Sequence, residues 1–173
     1  AGAISAGSIY GGTGNDTLIF NGAVISGATI DQGAGADSVY FGSSLTGGTT
    51  LTGNGADSFN LQGTNTVVFG ALDTLGSQVS FGANNDMATF SGAIVAGVNI
   101  YGGGAGTDTL RFTSGMAGTV DALTASDQVF LTGTNTVLFS GAIAAGAQVS
   151  FGSGKDMATF TGAISAGSIY GGT

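Results

Sequence analysis

Aspartate supplies nearly all of the ionisable chemistry in this sequence of 173 residues. All ten acidic residues are aspartates, the basic residues are only Arg111 and Lys155, and histidine is absent. The resulting net charge of −8 repels nucleic acid and acidic membrane surfaces, whereas recurrent carboxylates suit a hard cation. No apolar run reaches the length of about eighteen residues that a spanning helix needs. We therefore expect no nucleic-acid partner and no membrane insertion.

The same composition argues against an enzyme. Cysteine, histidine and glutamate are all absent, and Lys155 is the single lysine. The aspartates recur at regular intervals instead of gathering into a pair, so no nucleophile with its base and no acid with its base can be identified. The sequence therefore predicts a protein without catalytic activity.

Most of the aspartates close a glycine-rich turn that leads into a short apolar cluster. GGTGNDTLI (11–19) and GGAGTDTLR (103–111) fit G-G-x-G-x-D-x-U-x, in which U is a large apolar residue. The shorter pattern G-x-[GN]-x-D is kept by QGAGADSVY (32–40), TGNGADSFN (52–60), FGANNDMAT (81–89) and FGSGKDMAT (151–159). Glycine tolerates a positive φ, which lets successive carbonyl oxygens turn toward a cation while the aspartate supplies charge. Ca²⁺ accepts roughly six to eight oxygen ligands, so these turns favour calcium binding.

This turn pattern resembles the calcium-binding nonapeptide of the RTX, or haemolysin-type, repeat proteins. Members of that family are the parallel β-rolls of secreted bacterial proteases, cytolysins, adhesins and surface-layer proteins. The resemblance implies that calcium lies between equivalent loops of neighbouring coils and that the chain is exported by type I secretion. The metal-site residues that the resemblance implies are Gly11, Gly12, Gly14, Asp16, Gly33, Gly35, Asp37, Gly53, Gly55, Asp57, Asp86, Gly103, Gly104, Gly106, Asp108, Gly154 and Asp156.

A simpler role is open to some of these aspartates, because an aspartate can cap its own turn by accepting hydrogen bonds from nearby backbone groups. The turn around Asp127 has lost its glycines, so capping is favoured there. Both roles stay open for Asp86, where Asn84 replaces a glycine, and for Asp156, which follows Lys155. Calcium binding is favoured for the remaining aspartates of the pattern, Asp16, Asp37, Asp57 and Asp108.

The chain repeats on two scales. Residues 161–173 match residues 1–13 at twelve of thirteen positions, which defines a period of 160 residues, and the segment 21–90 recurs with substitutions as 91–160. Repetition at fixed spacing is typical of solenoids, propellers and other arrays. We therefore interpret residues 1–173 as one repetitive segment, a 160-residue period with a 13-residue overlap, and expect it to be a fragment of a longer chain.

Short clusters of β-branched and aromatic residues recur about every ten residues, each bounded by turn-forming residues. This spacing predicts strands and turns, and the density of glycine excludes helices. Two strands make a coil of about 20 residues, so the predicted fold class is all-β, a parallel β-roll or β-solenoid with about eight coils per period. Alternation predicts core positions at Leu18, Phe20, Val39, Phe41, Phe59, Leu61, Leu110, Phe112, Val129 and Leu131. It predicts outward positions at Ile19, Tyr40, Asn60, Arg111 and Phe130.

The spacing of the aspartates predicts the edge of the coil on which each one lies. Successive motif aspartates are about one coil apart, except that the intervals 57 to 86 and 127 to 156 are 29 residues long. An extra turn and strand, at 62–69 and again at 132–139, accounts for both longer intervals. In a two-sided coil the motif then changes edge, which leaves Asp16, Asp37, Asp57 and Asp156 on one edge and Asp86 and Asp108 on the other. The alternative is a local three-sided coil with all aspartates on one edge.

These observations favour a structural role outside the cell or at its surface, as a calcium-stiffened β-solenoid in a filament, sheath, surface layer or adhesin stalk. Because residues 161–173 repeat residues 1–13, equivalent coils can stack on one another. We therefore expect self-association into an axial or lateral homopolymer. The alternative is an ice-binding or ligand-binding adhesin module of the calcium-dependent solenoid type, whose loop resembles the stretch from Gly12 to Asp16. The outward loop positions of the other turns vary too much in residue type to template a lattice.

Overall fold

The computed structural model describes residues 3–70, 72, 76–102, 106–121, 123–124 and 126–173. The regular secondary structure in these ranges is β, and its strands are short because glycine, asparagine and serine turns interrupt every apolar cluster. No helix among these residues has the length and apolar character that crossing a membrane requires.

The strands form two parallel sheets, between which the chain passes after every strand. The first sheet holds, in order, β1 (Ile4–Tyr10), β3 (Val24–Ala34), β5 (Thr49–Asn54), β7 (Thr66–Phe69), β9 (Met87–Phe90), β11 (Thr109–Phe112), β13 (Gln128–Leu131), β15 (Gln148–Phe151) and β17 (Ser168–Tyr170). The second sheet holds β2 (Thr17–Phe20), β4 (Ser38–Phe41), β6 (Ser58–Leu61), β8 (Gln78–Phe81), β10 (Asn99–Tyr101), β12 (Thr119–Val120), β14 (Thr136–Phe139) and β16 (Met157–Phe160). Each coil therefore adds one strand to each sheet.

Each strand pairs in parallel with the equivalent strand one coil later. In the second sheet, Leu18 lies beside Val39 and Val39 lies beside Phe59, so residues about 20 apart in sequence are neighbours. Parallel pairing at a nearly constant offset produces a solenoid of about eight turns. The all-β, parallel β-solenoid that the spacing of apolar clusters predicted is confirmed.

The hydrophobic core lies between the two sheets and runs along the stack. The predicted core residues from Val39 to Leu131 are buried, and the two of the first coil, Leu18 and Phe20, are partly buried against the same core. The predicted outward residues Ile19, Tyr40 and Arg111 are exposed, Asn60 and Phe130 are half-buried, and none of the five is a core residue. Alternation therefore identified the inward and outward faces correctly.

Phenylalanines at strand ends stack from coil to coil within this core. Phe69, Phe90 and Phe112 form a continuous column in the first sheet, with ring centroids 4.9 and 4.7 Å apart and interplanar angles of 9° and 7°. Phe59 and Phe81 of the second sheet meet the ring of Phe69 edge-on at 5.2 and 6.4 Å. Stacked and edge-on aromatic pairs add to the energy of burial, so these contacts tie each coil to the next and each sheet to the other.

Candidate metal centre at the edges of the coil

The motif aspartates lie on two edges of the solenoid. We call the edge where the chain passes from the first sheet to the second the first edge, and the opposite edge the second edge. Each aspartate directly precedes a strand, and the sheet of that strand identifies the edge. The first edge holds Asp16, Asp37, Asp57 and Asp156, and the second edge holds Asp86, Asp108 and Asp127. The predicted change of edge is confirmed and the three-sided alternative is wrong, because β7 and β14 simply continue the alternation between sheets.

On each edge the aspartates form a hydrogen-bonded ladder along the stack. On the first edge, the backbone N–H of Asp16 donates to Oδ1 of Asp37 at 2.8 Å, and the N–H of Asp37 donates to Oδ1 of Asp57 at 3.1 Å. On the second edge, the N–H of Asp86 donates to Oδ1 of Asp108 at 2.8 Å. Each carboxylate thus binds the backbone of the coil before its own, an arrangement that the motif alone did not predict.

The other carboxylate oxygen of most ladder aspartates lacks a partner. Oδ2 is buried and makes no hydrogen bond with any described residue in Asp16, Asp37, Asp86 and Asp108. The side chains of these residues face the core, since each residue lies two positions before an inward-facing apolar residue such as Val39. A buried polar atom without a partner costs about 1–3 kcal/mol, and more when it is charged. A bound cation is one group that would compensate such oxygens.

In Asp127 both carboxylate oxygens have hydrogen-bond partners, unlike those of Asp16, Asp37, Asp86 and Asp108 among the described residues. Oδ1 accepts the N–H of Asp108 at 2.9 Å, and Oδ2 accepts the backbone N–H and the hydroxyl of Thr124 at 2.6 and 3.0 Å. The second pair of bonds caps the aspartate's own turn, as the loss of glycines around Asp127 predicted.

Asn65 and Asn135 extend the two ladders, and the motif search missed both. The backbone N–H and the side-chain amide of Asn65 donate to Oδ1 of Asp86 at 2.8 and 2.7 Å. Asn135 donates the same pair of bonds to Asp156 at 3.1 and 2.8 Å. Each asparagine lies two positions before an inward valine, as the aspartates do before their own inward residues. This spacing of two positions before an inward-facing residue was the signal in the sequence that could have identified the two asparagines.

The glycines of the pattern let the loops of neighbouring coils stack directly on each other. A Cβ at Gly33 would overlap the carbonyl oxygen of Gly12, and a Cβ at Gly35 would overlap that of Gly14. Gly33 and Gly35 also have positive φ angles of 85° and 149°, which glycine adopts without steric cost. The expected positive φ is therefore present, and the close approach of backbones excludes a side chain independently.

Each remaining glycine of the predicted site that the structure describes meets at least one of these two requirements. A positive φ occurs at Gly12, Gly14 and Gly154. A left-handed backbone is not found at Gly11, Gly53, Gly55 and Gly106, where a Cβ would instead crowd an atom of a neighbouring residue. Gly103 and Gly104 lie outside the described residues.

Carboxylates alone do not make a metal site at either edge. Within the described ranges, no group of three or more acidic side chains is arranged to hold a metal ion. Successive ladder aspartates belong to successive coils, so a cation at these edges would need carbonyl or amide oxygens as well. Calcium accepts carboxylate, carbonyl and amide oxygens in a flexible geometry, so the chemistry of the available donors and the unpaired Oδ2 atoms fit this ion.

Burial raises the pKa values of the second-edge carboxyls. Desolvation raises the pKa of Asp86 from 3.8 to about 6, against the opposing effect of the hydrogen bonds from Asn65. Desolvation also raises the pKa of Asp108 from 3.8 to about 7, and the negative charges of Asp127 and Asp86 add to this increase. The pKa of Asp127 is raised for the same primary reason. Burial therefore disfavours the ionised form of these carboxyls in the absence of a compensating cation.

We expect the calcium-free protein to lose stability as the pH rises from about 4 to about 7. Over this range the folded state retains protons on Asp86 and Asp108 that the unfolded chain has released, so a rise in pH favours unfolding. Thermal unfolding in EDTA should have a higher midpoint at about pH 5 than at about pH 8. The difference should shrink in Asp108→Asn and persist in Asp121→Asn, which changes an aspartate outside both ladders. A midpoint that rises with pH would show that these carboxyls are ionised without penalty.

The fold and its edges define a β-solenoid repeat protein with a ladder of aspartates along each edge. Comparison of the chain with models of protein families, with curated proteins and with solved structures finds no match. The resemblance to RTX turns therefore rests on the residues of the turns themselves and stays a prediction.

Proposed function

We propose that this chain is a structural repeat protein whose stacked coils are stiffened by calcium. The observation that carries the proposal is a set of buried Oδ2 atoms that have no hydrogen-bond partner among the described residues, those of Asp16, Asp37, Asp86 and Asp108. They lie in two ladders that run along the edges of a β-solenoid. A cation bound at these positions would act on the contacts between coils, which are the contacts that hold a solenoid together.

A bound cation would turn the aspartate ladders from a destabilising into a stabilising feature of the fold. Carboxylates in adjacent coils, at the strand spacing of about 4.8 Å, repel one another, and burial strengthens the repulsion. On the first edge, Asp16, Asp37 and Asp57 would hold calcium together with carbonyl oxygens of the glycine loops. On the second edge, Asp86 and Asp108 would do so. The positive charge of calcium would compensate the negative charge of these carboxylates, so its binding energy would contribute directly to folding.

The proposed location outside the cell or at its surface follows from this calcium dependence. Extracellular calcium modules bind the ion with dissociation constants of about 10⁻⁴–10⁻³ M, a range in which binding depends on a calcium-rich environment. The fold would lose stability where calcium is scarce and gain stability where calcium is plentiful. Type I secretion, which the RTX resemblance implies, belongs to the same proposal.

The proposed role includes self-association by the stacking of coils. The segment 168–170 in β17 is identical to 8–10 in β1, and it pairs in parallel with β15. A cavity of about 340 Å³ beside this last coil is lined in part by Phe151, Ala158 and Ile169. A further coil of the same kind, whether of this chain or of a second copy, would cover these apolar side chains and continue both sheets, because parallel pairing at a constant offset can be repeated. This arrangement supports a filament, sheath, surface layer or stalk.

The outer face of the first sheet does not favour the ice-binding alternative. Parallel pairing aligns one column of outward residues across the sheet: Ser8, Thr29, Thr50, Val68, Thr89, Arg111, Phe130, Ser150 and Tyr170. The column mixes hydroxyl, apolar and charged residues, and the guanidinium of Arg111 lies 5.3 Å from the ring centroid of Phe130. A regular array of hydroxyl groups would need similar residues at every step, so the structural role is better supported.

Removal of calcium tests the proposed function. In about 1 mM calcium we expect a β-type circular dichroism spectrum and a cooperative thermal transition, and in excess EDTA a lower midpoint or loss of the β signal. Magnesium at the same concentration is the control, because it demands rigid octahedral coordination and retains water, and it should not replace calcium. Electron microscopy should show filaments or sheets in the calcium sample only. A spectrum and midpoint that are indifferent to EDTA would contradict the proposal.

A further inference from the structure

Gln32 is a buried polar residue whose side chain has no hydrogen-bond partner in the part of the chain that the structure describes. It follows Ile30 on the inward side of β3, and its exposed fraction is 0%. Neither Oε1 nor Nε2 makes a hydrogen bond with any described residue. An unpaired buried amide costs about 1–3 kcal/mol, so an amide at this position requires a compensating contact.

The absence of a side chain at Gly53 leaves room for the Gln32 side chain. Gln32 lies next to Gly11 of the preceding coil, where a Cβ would overlap the carbonyl oxygen of Gln32, and next to Gly53 of the following coil. A Cβ at Gly53 would lie 3.3 Å from Oε1 of Gln32 and would overlap Oδ2 of Asp57. The amide oxygen of Gln32 and the carboxylate oxygen of Asp57 therefore border the same small space inside the first edge.

We propose that Oε1 of Gln32 is a ligand of a calcium ion held inside the first edge with carboxylate oxygens of Asp37 and Asp57. Asp37 closes the turn that begins after Gln32, and its Oδ2 is buried without a hydrogen-bond partner among the described residues. The inference rests on the proposed calcium dependence and extends it, because it assigns a side-chain ligand that is outside the glycine and aspartate positions of the turn pattern.

The three groups together have the chemistry of a hard-cation site. Two carboxylates supply negative charge, and the amide supplies a neutral oxygen at a position from which water is excluded. Calcium binds side-chain amide oxygens alongside carboxylates and backbone carbonyls. The charge of Asp37 and Asp57 would thereby be compensated between two consecutive coils, at the point where the ladder bond from Asp37 to Asp57 already joins them.

Substitution of Gln32 by methionine tests the assignment, because methionine keeps the unbranched shape but offers a hard cation no oxygen. Thermal midpoints in calcium and in EDTA, and calcium-binding isotherms, are measured for the wild-type chain and for Gln32→Met. In EDTA the variant should unfold at a higher temperature than the wild type, since the unpaired amide is gone. In calcium the order should reverse, with one site lost or weakened at least about tenfold. Gln148→Met, at an exposed position of β15, is the matched control and should follow the wild type.

The outcomes separate this site from the proposed function. A wild-type midpoint that does not respond to calcium would overturn both. A calcium response that Gln32→Met retains in full would overturn the site alone, and so would an equal loss of stability in calcium and in EDTA, which would assign Gln32 a protein hydrogen-bond partner. Gln32→Glu is a second variant that keeps an oxygen at the same place. It should lower the midpoint in EDTA and enlarge the response to calcium, and a smaller response than that of the wild type would count against the site.

Discussion

Replacement of Gly55 by alanine is expected to lower the free energy of unfolding by roughly 3 kcal/mol or more. The added Cβ would overlap the carbonyl oxygen of Gly35, a backbone atom that no change of rotamer can move aside. The two loops would have to separate, and the N–H of Gly35, which donates to the carbonyl of Asn54 at 3.3 Å, would lose that bond. Since Asp37 and Asp57 follow in the same loops, the first-edge ladder would also be disturbed.

Thermal unfolding in EDTA measures this effect without the contribution of calcium. For a chain of this size, about 1 kcal/mol corresponds to a change of about 2–4 °C, so the midpoint of Gly55→Ala should fall by about 6 °C or more. Gly171→Ala is the control, because nothing lies within 4 Å of a Cβ at that position. If the two variants melt at the same temperature, the loops of neighbouring coils are not in direct backbone contact.

Truncation of Phe90 to alanine is expected to cost about 3–5 kcal/mol. Phe90 is fully buried, and its ring lies between those of Phe69 and Phe112, with centroids 4.9 and 4.7 Å away. The substitution removes both stacking contacts, and the parallel pairing of β9 with β7 and β11 keeps the resulting cavity open. Because each coil of a solenoid contacts only its neighbours, the loss should be concentrated in the coils around β9.

The midpoint of Phe90→Ala should fall by about 6–20 °C. Hydrogen exchange followed by mass spectrometry should show faster exchange in β7, β9 and β11 and little change in β2 and β4. Ile19→Ala, at a position that is 63% exposed, serves as the control and should leave both the midpoint and the exchange pattern near those of the wild type. Uniformly faster exchange along the whole solenoid would show that the coils unfold as one unit instead.

The fold and its core could be predicted because they depend on local regularities of the chain. A strand that alternates between two faces buries every second residue, so the phase of Val39 and Phe41 within one short cluster was sufficient to place both in the core. The change of edge was predictable for a similar reason. An interval of 29 residues between Asp57 and Asp86 contains one strand more than a coil, and a two-sided coil then has a single consistent arrangement.

The contacts inside the edges could not be predicted in the same way. The motif identified Asp37 as a candidate ligand, but it did not indicate that Oδ1 accepts the N–H of Asp16 while Oδ2 has no hydrogen-bond partner among the described residues. It also passed over Asn65, which occupies a ladder position without belonging to a glycine-rich turn. The pattern assigned no role to Gln32, whereas its amide oxygen borders the space next to Gly53 and Asp57.

The sequence by itself thus determined the period, the strands and the inward residues, because each of these follows from spacing along the chain, whereas the choice between a two-sided and a three-sided coil needed the structure. The tertiary structure alone decided which oxygen of each carboxylate accepts a hydrogen bond. It also decided which other polar side chain lies beside these carboxylates inside an edge. Those contacts join residues about 20 positions apart, and their geometry depends on the register of stacked coils. Register in a parallel sheet is set by the packing of all coils together, so a single turn does not contain that information.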